Sequence, residues 1–182
     1  MRTTDLSTFN NEWFKPGPRL RRFAWYFTNI IFFKSSIFPV YSIKRGLLRV
    51  FGASISRGVL VKPCVNIKYP WLLTVGENTW IGENVWIDNL AEVKIGANVC
   101  LSQGAFLLTG NHNYQLPSFD LMVKGIVLED GVWIGAGSIV CPGITCHSHS
   151  VLSVASVATS NLEPYSIYRG NPAEKIRTRE IQ

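Results

Sequence analysis

Charge is scarce in this chain, and so are the residues that build metal or disulfide centres. Asp, Glu, Lys and Arg make up only 16% of the 182 residues, beside four cysteines and three histidines. Cys64, Cys100, Cys141 and Cys146 show no C-x-x-C spacing and have apolar neighbours. They read as small, buried or half-buried side chains in a reducing compartment, and not as a disulfide framework. The string Cys146-His-Ser-His149 has no second cluster of ligands to accompany it, so no metal is expected. No G-x-x-x-x-G-K-[ST], no strand-G-x-G-x-x-G-helix and no G-x-S-x-G occurs, which excludes a phosphate loop, a dinucleotide fingerprint and a nucleophile elbow. The first twenty residues hold no continuous apolar run, so no signal peptide is expected. Two apolar runs, Phe23 to Phe33 and Ser36 to Ile43, are separated by Lys34. Each is shorter than the roughly 18 to 20 residues of a membrane-spanning helix.

What is present is 47% hydrophobic, with fifteen glycines and six tryptophans. That supplies a core for one domain of ordinary size and excludes a disordered chain. The net charge of +6 is unevenly placed: twelve basic and two acidic residues through Lys68, then six basic and ten acidic from Tyr69. The regularly patterned part is therefore acidic, which argues against nucleic acid as a partner. Residues 1–52 read as a basic, aromatic, helical segment. Its apolar runs fit a helix docked on the rest of the protein. Peripheral contact with an anionic membrane is the alternative, given Arg19, Arg21, Arg22, Lys34, Lys44, Arg45 and Arg49 around them.

From Ile55 an aliphatic residue recurs every six positions. Val75-Gly-Glu-Asn-Thr-Trp leads into Ile81-Gly-Glu-Asn-Val-Trp, and Leu128-Glu-Asp-Gly-Val-Trp into Ile134-Gly-Ala-Gly-Ser-Ile. Neither a helix nor a simple alternating strand has that period. A parallel β-helix does, with short strands, tight corners and aliphatics stacked inward, and it is expected over residues 53–172. The first and fifth positions of each hexapeptide should point inward and the sixth outward. Trp80, Trp86 and Trp133 occupy the sixth, and such exposed aromatics ask for a covering subunit or ligand. Residues 173–182 read as a tail.

The repeat fails between Leu107 and Leu128, an interval of 21 residues that reads as one three-sided coil of 18 plus three. The irregular stretch, residues 109–127, contains Thr-Gly-Asn-His112-Asn-Tyr114. A loop thrown off a rigid scaffold is a common place for chemistry, so His112 is the candidate catalytic residue.

The hexapeptides, the TGNHNY segment and the terminal GNPAEKI resemble the left-handed β-helix O-acetyltransferases of the maltose, galactoside and nodulation type. YPWLLTVG, IGENVWID, RGLLRVFGA and LPSFDLMVKGIVLEDGVWIG are similar to the branch acting in colanic acid and other exopolysaccharide biosynthesis. The resemblance implies an all-β, left-handed parallel β-helix, a homotrimer with active sites between subunits, and acetyl-CoA as co-substrate. It also implies His112 as catalytic base and Asn84 as an acceptor-binding residue, with Asp88 and Tyr114 in the same acceptor site. Trp133, Gly135, Ser153, Ala155, Arg169 and Lys175 fall where that family holds the coenzyme. Asn84 also reads as a plain corner residue, like Asn78 and Asn98. Two departures bear on donor binding: Leu152-Ser-Val-Ala-Ser156 replaces a glycine-bearing G-A-x-S, and Ser160-Asn161 replaces Lys-Asp.

The chemistry is consistent with that resemblance. A sugar hydroxyl is a poor nucleophile and needs a base, and imidazole, with an ordinary pKa of about 6.5, suits the task. Ser102, Gln103 and the Gly135 amide are candidate oxyanion donors. The implied function is O-acetylation of a sugar or lipid-linked oligosaccharide, in the cytoplasm or at the inner face of the membrane. The alternatives are another acceptor (an amino sugar or an antibiotic), a metal-dependent β-helix relative, and a non-catalytic one.

Overall fold

The computed structural model describes residues 3–182, so the Met1–Arg2 end of the expected basic segment lies outside the described residues. Inward-facing aliphatics at six-residue spacing close the chain into a left-handed parallel β-helix of three faces. Face 1 stacks Ser54–Ile55, Leu73–Val75, Val93–Ile95, Ile126–Leu128 and Thr145–Cys146. Face 2 stacks Leu60–Val61, Trp80–Ile81, Cys100–Leu101, Trp133–Ile134, Val151–Leu152 and Ser166–Gly170. Face 3 stacks Asn66–Ile67, Trp86–Asp88, Phe106–Leu108, Ile139–Val140 and Val157–Ala158. First-position Ile81, Ile87 and Ile134 and fifth-position Val85 and Val132 are completely buried, while sixth-position Trp80, Trp86 and Trp133 are 58%, 43% and 46% exposed. The corners turn at residues with positive φ, among them Asn78, Asn84 and Asn98 at 55–58°, a region that asparagine tolerates better than most residues.

The 21-residue interval is not one coil plus three residues. Leu107 lies on face 3 and Leu128 on face 1 of the very next coil, paired with Ile95. The other steps from face 3 to face 1 take 8 residues, Ile67 to Val75 and Ile87 to Ile95, or 6, Val140 to Cys146, so 21 leaves an excursion of 13 to 15 residues. A residue count cannot tell a whole coil from a single side that carries a loop. The excursion is a β-hairpin in which Gly110–His112 pairs antiparallel with Leu121–Val123. Within the segment read as a tail, Ala173–Thr178 pairs antiparallel with Ser166–Gly170 and covers the C-terminal edge of face 2.

On the faces, N–H groups of one coil donate to carbonyls of the coil that follows, as from Ser56 to Val75, Leu60 to Thr79 and Lys68 to Ile87, while corner residues such as Asn78 donate back, here to Arg57 O. The equivalent carbonyls of the first coil, on Ile55, Val59 and Ile67, have no preceding coil to receive from. The basic N-terminal segment supplies the missing donors. It folds into α1 (Arg19–Thr28), a π-helical turn (Asn29–Phe33) and α2 (Tyr41–Val50). Arg49 donates to Ile55 O at 2.8 and 2.9 Å, Arg45 to Val59 O at 2.9 Å, and the Trp25 indole to Ile67 O at 2.8 Å. Lys44, completely buried, donates to Lys62 O at 2.9 Å, and burial pulls its pKa down. Arg21 donates to Phe51 O and lies 4.4 Å over the Trp71 ring. Trp25, Phe33 and Leu48 seal the core beneath them. Among the described residues no helix is long and apolar enough to cross a membrane.

An unsatisfied buried carbonyl costs about 1–3 kcal/mol. Arg45→Met retains most of the aliphatic stem and removes the donor to Val59 O. It should lower unfolding stability by about 1–3 kcal/mol, read as a reduced urea midpoint at unchanged slope. An unchanged midpoint would show that the end of the solenoid needs no such cap.

Candidate active site

His112 is the last residue of the first hairpin strand, where the chain leaves the solenoid wall. Its Nδ1 lies 2.8 Å from the Phe119 carbonyl oxygen. A carbonyl can only accept, so Nδ1 carries the proton and Nε2 is left with its lone pair free. The Phe119 ring stacks on the imidazole at 4.5 Å and 7°, and Phe9 of the N-terminal arm leans on it at 5.8 Å. The imidazole is thus held by one hydrogen bond and two rings, which sets both its tautomer and its plane. The loop that brings Phe119 round is short and self-bonded: Asn113 N–H donates to Asp120 O, Leu116 N–H to Asn113 O, and Phe119 turns at φ +53°.

A groove of about 890 Å³ opens beside His112, between the hairpin and the N-terminal arm. Lys15, Arg19, Arg22 and Lys68 line it with Glu12, Tyr69 and Leu90. None of these residues was singled out for the site from the sequence. The basic excess was visible, but nothing in local spacing says that residues 15–22 and 68–69 meet at His112. Tyr114, largely exposed, lines a smaller depression with His112 and Asn111. Asp88 is buried and sits in a neighbouring concavity, its Oδ1 2.9 Å from Lys68 Nζ.

The other expected residues stand away from this groove: none of Asn84, Trp133, Gly135, Ser153, Ala155, Arg169 and Lys175 lines it within one chain. Asn84 has the corner conformation of Asn78 and Asn98. Trp133 donates from Nε1 to Ser102 Oγ at 2.9 Å, which leaves the serine hydroxyl its own proton to give. The Gly135 N–H is already donated to Leu152 O at 2.7 Å, so it does not serve as an oxyanion donor. Gly135 is required by packing, since a Cβ there would stand 2.6 Å from the Val154 nitrogen. Ser153 N–H is taken by Tyr168 O and Ala155 N–H by Ala136 O. Lys175 is paired with Glu163 at 2.6 Å, and this hydrogen bond raises its pKa. Arg179 donates to Gly131 O and His149 O, whereas Arg169 and Arg177 are exposed.

Burial pushes the Cys146 thiol up to about 12 and raises those of Cys100 and Cys141 as well, which disfavours thiolate chemistry at all three. His147 Nδ1 lies 3.0 Å from Glu129, and His149 stacks on Tyr165 at 4.7 Å. Among the described residues no group of three or more His, Cys, Asp or Glu is arranged to hold a metal ion.

A left-handed solenoid interrupted once, by a hairpin that presents an oriented histidine, defines a class: the chain belongs to the hexapeptide-repeat acetyltransferases. It is 34% identical over 176 residues to the "Putative colanic acid biosynthesis acetyltransferase" of Escherichia coli K12, covering 96% of this chain and 97% of that one. A hexapeptide-repeat acetyltransferase of Vibrio cholerae superposes with a TM-score of 0.79 at 24% identity, over 89% of this chain and 92% of the other. A galactoside acetyltransferase in complex with coenzyme A gives 0.78 at 25% identity, over 88% and 82%. No protein-family model matches the chain.

Proton placement at His112 can be read directly. In neutral solution, 15N spectra of the histidine-labelled protein should show one ring with a protonated Nδ1 and an unprotonated Nε2, lost in His112→Ala. A ring protonated at Nε2 would contradict the Phe119 hydrogen bond.

Proposed function

We propose that the protein moves an acetyl group from acetyl-CoA to a hydroxyl of a sugar, with exopolysaccharide synthesis as the setting. Acetyl-CoA-dependent acyl transfer follows from the family; the sugar acceptor is our reading. The observation that carries it is the imidazole of His112, fixed through Nδ1 with Nε2 free to accept, beside a groove large enough for a saccharide. In a ternary complex Nε2 takes the proton of the acceptor hydroxyl as its oxygen adds to the thioester carbonyl. The tetrahedral intermediate then collapses, breaking the C–S bond, and His112 returns the proton to the departing thiolate. Ser102 and the exposed Gln103 are left as candidate donors to the oxyanion, since the Gly135 amide is engaged.

The active sites are proposed to lie between subunits of a homotrimer. Support comes from the distance in sequence and fold between His112 and the residues expected to hold coenzyme and acceptor, and from the exposed Trp80, Trp86 and Trp133. Arg169 and Arg177 are the exposed cations available for the coenzyme's phosphates.

Peripheral attachment at an anionic membrane is part of the same reading. Leu20, Phe23, Phe27, Ile31, Ile37 and Ile43 are exposed on the N-terminal helical cap, and the sequence has no acidic residue between Glu12 and Glu77. An apolar surface in a purely cationic surround suits anionic lipid. Such a surface would hold the enzyme where a lipid-linked oligosaccharide is found.

His112→Ala should cut acetyl transfer to a saccharide acceptor by about 10²–10⁴-fold, followed as release of free coenzyme thiol, without loss of acetyl-CoA binding. Activity unaffected by the substitution would sink the mechanism. Light scattering of the purified chain should give three times the 20.4 kDa protomer mass; a monomer that is fully active would refute shared sites. The intact protein should sediment with phosphatidylglycerol vesicles and not with neutral ones, and Phe23→Ser/Ile31→Ser should release it. Indifference of the intact protein to both kinds of vesicle would rule out the membrane contact.

A further inference from the structure

A second concavity, of about 360 Å³, lies where α1 and the π-helical turn cross face 3. Arg22, Lys34 and Lys68 bring three positive charges to it, Asp88 brings one negative charge, and Tyr26 and Trp86 contribute aromatic walls. Trp86 stacks on Phe106 at 4.8 Å and 13°, which holds it as a flat platform. Three buried polar atoms there make no hydrogen bond: the Arg22 Nε, the Asn29 Oδ1 and the Asp88 Oδ1, of which the last is ion-paired with Lys68. Asn29 is itself almost completely buried, and its amide nitrogen donates to Asn66 Oδ1 at 2.8 Å. A guanidinium N–H out of contact with water and without an acceptor is poised for one. Lys68 is shared with Asp88 at 2.9 Å, so an incoming anion meets an excess of two positive charges.

This concavity is not separate from the groove beside His112. Arg22, Lys68 and Tyr69 line both. It also lies toward the first coils of the solenoid, on Asn66–Lys68 and Trp86–Asp88. The exposed Arg169 and Arg177 sit in the hairpin at the opposite end. A molecule with its reacting hydroxyl at His112 would therefore reach this pocket by extending away from the end that we assign to the coenzyme.

We infer that the pocket formed by Arg22, Lys34 and Lys68 binds a phosphate or pyrophosphate group of the acceptor, so that the enzyme acetylates a phosphorylated saccharide rather than a free neutral one. Which end of the acceptor it holds rests on the acetyl-transfer reading; the anion site itself does not. Arginine's forked donors match phosphate oxygens, and the Trp86 platform suits the apolar face of the adjoining sugar ring. Lipid headgroups offer the same phosphate chemistry. The acceptor is the source favoured here, because the pocket is continuous with the catalytic groove.

Inorganic pyrophosphate, titrated into the intact protein and followed by tryptophan fluorescence or calorimetry, should bind saturably. Lys34→Gln and Arg22→Gln should each weaken it by about tenfold or more. Arg57→Gln, a change at an exposed arginine outside both concavities, should leave the affinity as it is. Lys34 is exposed at the end of the π-helical turn, so its variant should fold even if the Arg22 variant does not. In turnover, pyrophosphate should compete with the acceptor and not with acetyl-CoA. Absence of saturable binding, or competition with acetyl-CoA alone that survives Lys34→Gln, would overturn the site. Displacement of the protein from phosphatidylglycerol vesicles by pyrophosphate would move the site from acceptor to lipid headgroup and overturn the acceptor assignment. Pyrophosphate binding that both variants weaken, in a protein that acetylates no saccharide, would leave the anion site standing and remove the transfer reading instead.

Discussion

A parallel β-helix depends on one rule: each coil's N–H groups must find carbonyls on a neighbouring coil. In this protein face residues donate forward, as from Ser56 to Val75, and corner residues donate back, as from Asn78 to Arg57. This leaves a row of acceptors bare at the N-terminal end and a sheet edge open at the other. Elements outside the repeat cover part of each end. Arg49, Arg45 and Trp25 stand in for the donors of an absent coil, and the Ser166–Gly170/Ala173–Thr178 hairpin covers face 2 at the far end. An open parallel edge invites pairing with another chain; the N-terminal cap occupies carbonyls of the first coil, and the C-terminal hairpin covers the parallel edge of face 2.

The same requirement explains where chemistry can be placed. Coils cannot be lengthened at random, because each strand must stay in register with its neighbours above and below. The extra residues sit in a corner between faces 3 and 1, and Ile126–Leu128 then pairs with Val93–Ile95 as if nothing had intervened. The hairpin is free of the solenoid's register and can fold back on itself. That lets the Phe119 carbonyl, seven residues on, reach His112 Nδ1. A rigid wall with one locally folded exception gives an imidazole whose orientation costs the scaffold nothing.

The N-terminal segment answers three demands at once. Its cations cap the first coil, its buried aromatics close the core, and its remaining charges, Lys15, Arg19, Arg22 and Lys34, border the two joined concavities. Charge that looked like a membrane signature in the sequence is therefore largely committed elsewhere: Arg21, Lys44, Arg45 and Arg49 are held by backbone carbonyls. What faces outward from this cap is mainly apolar, and the surrounding absence of carboxylates keeps the field there positive.

Much of this was legible in advance. Six-residue spacing identified the β-helix, the inward first and fifth positions and the outward tryptophans, because side-chain direction in a short strand follows from position alone. The failure of that spacing located the hairpin that carries His112. The sequence did not reveal that the break occupies one side of the helix, since residue counts carry no information about which face is resumed. Nor did it reveal that Phe119 sets the tautomer, that the Gly135 amide is spent, or that Arg22 and Lys68, 46 positions apart, border one pocket. Periodicity is local, and the sequence by itself determined what is local: the architecture, its inward faces and the place of its interruption. Partners of hydrogen bonds and walls of cavities depend on how many coils intervene and which way the chain crosses their end, and these only the tertiary structure decided.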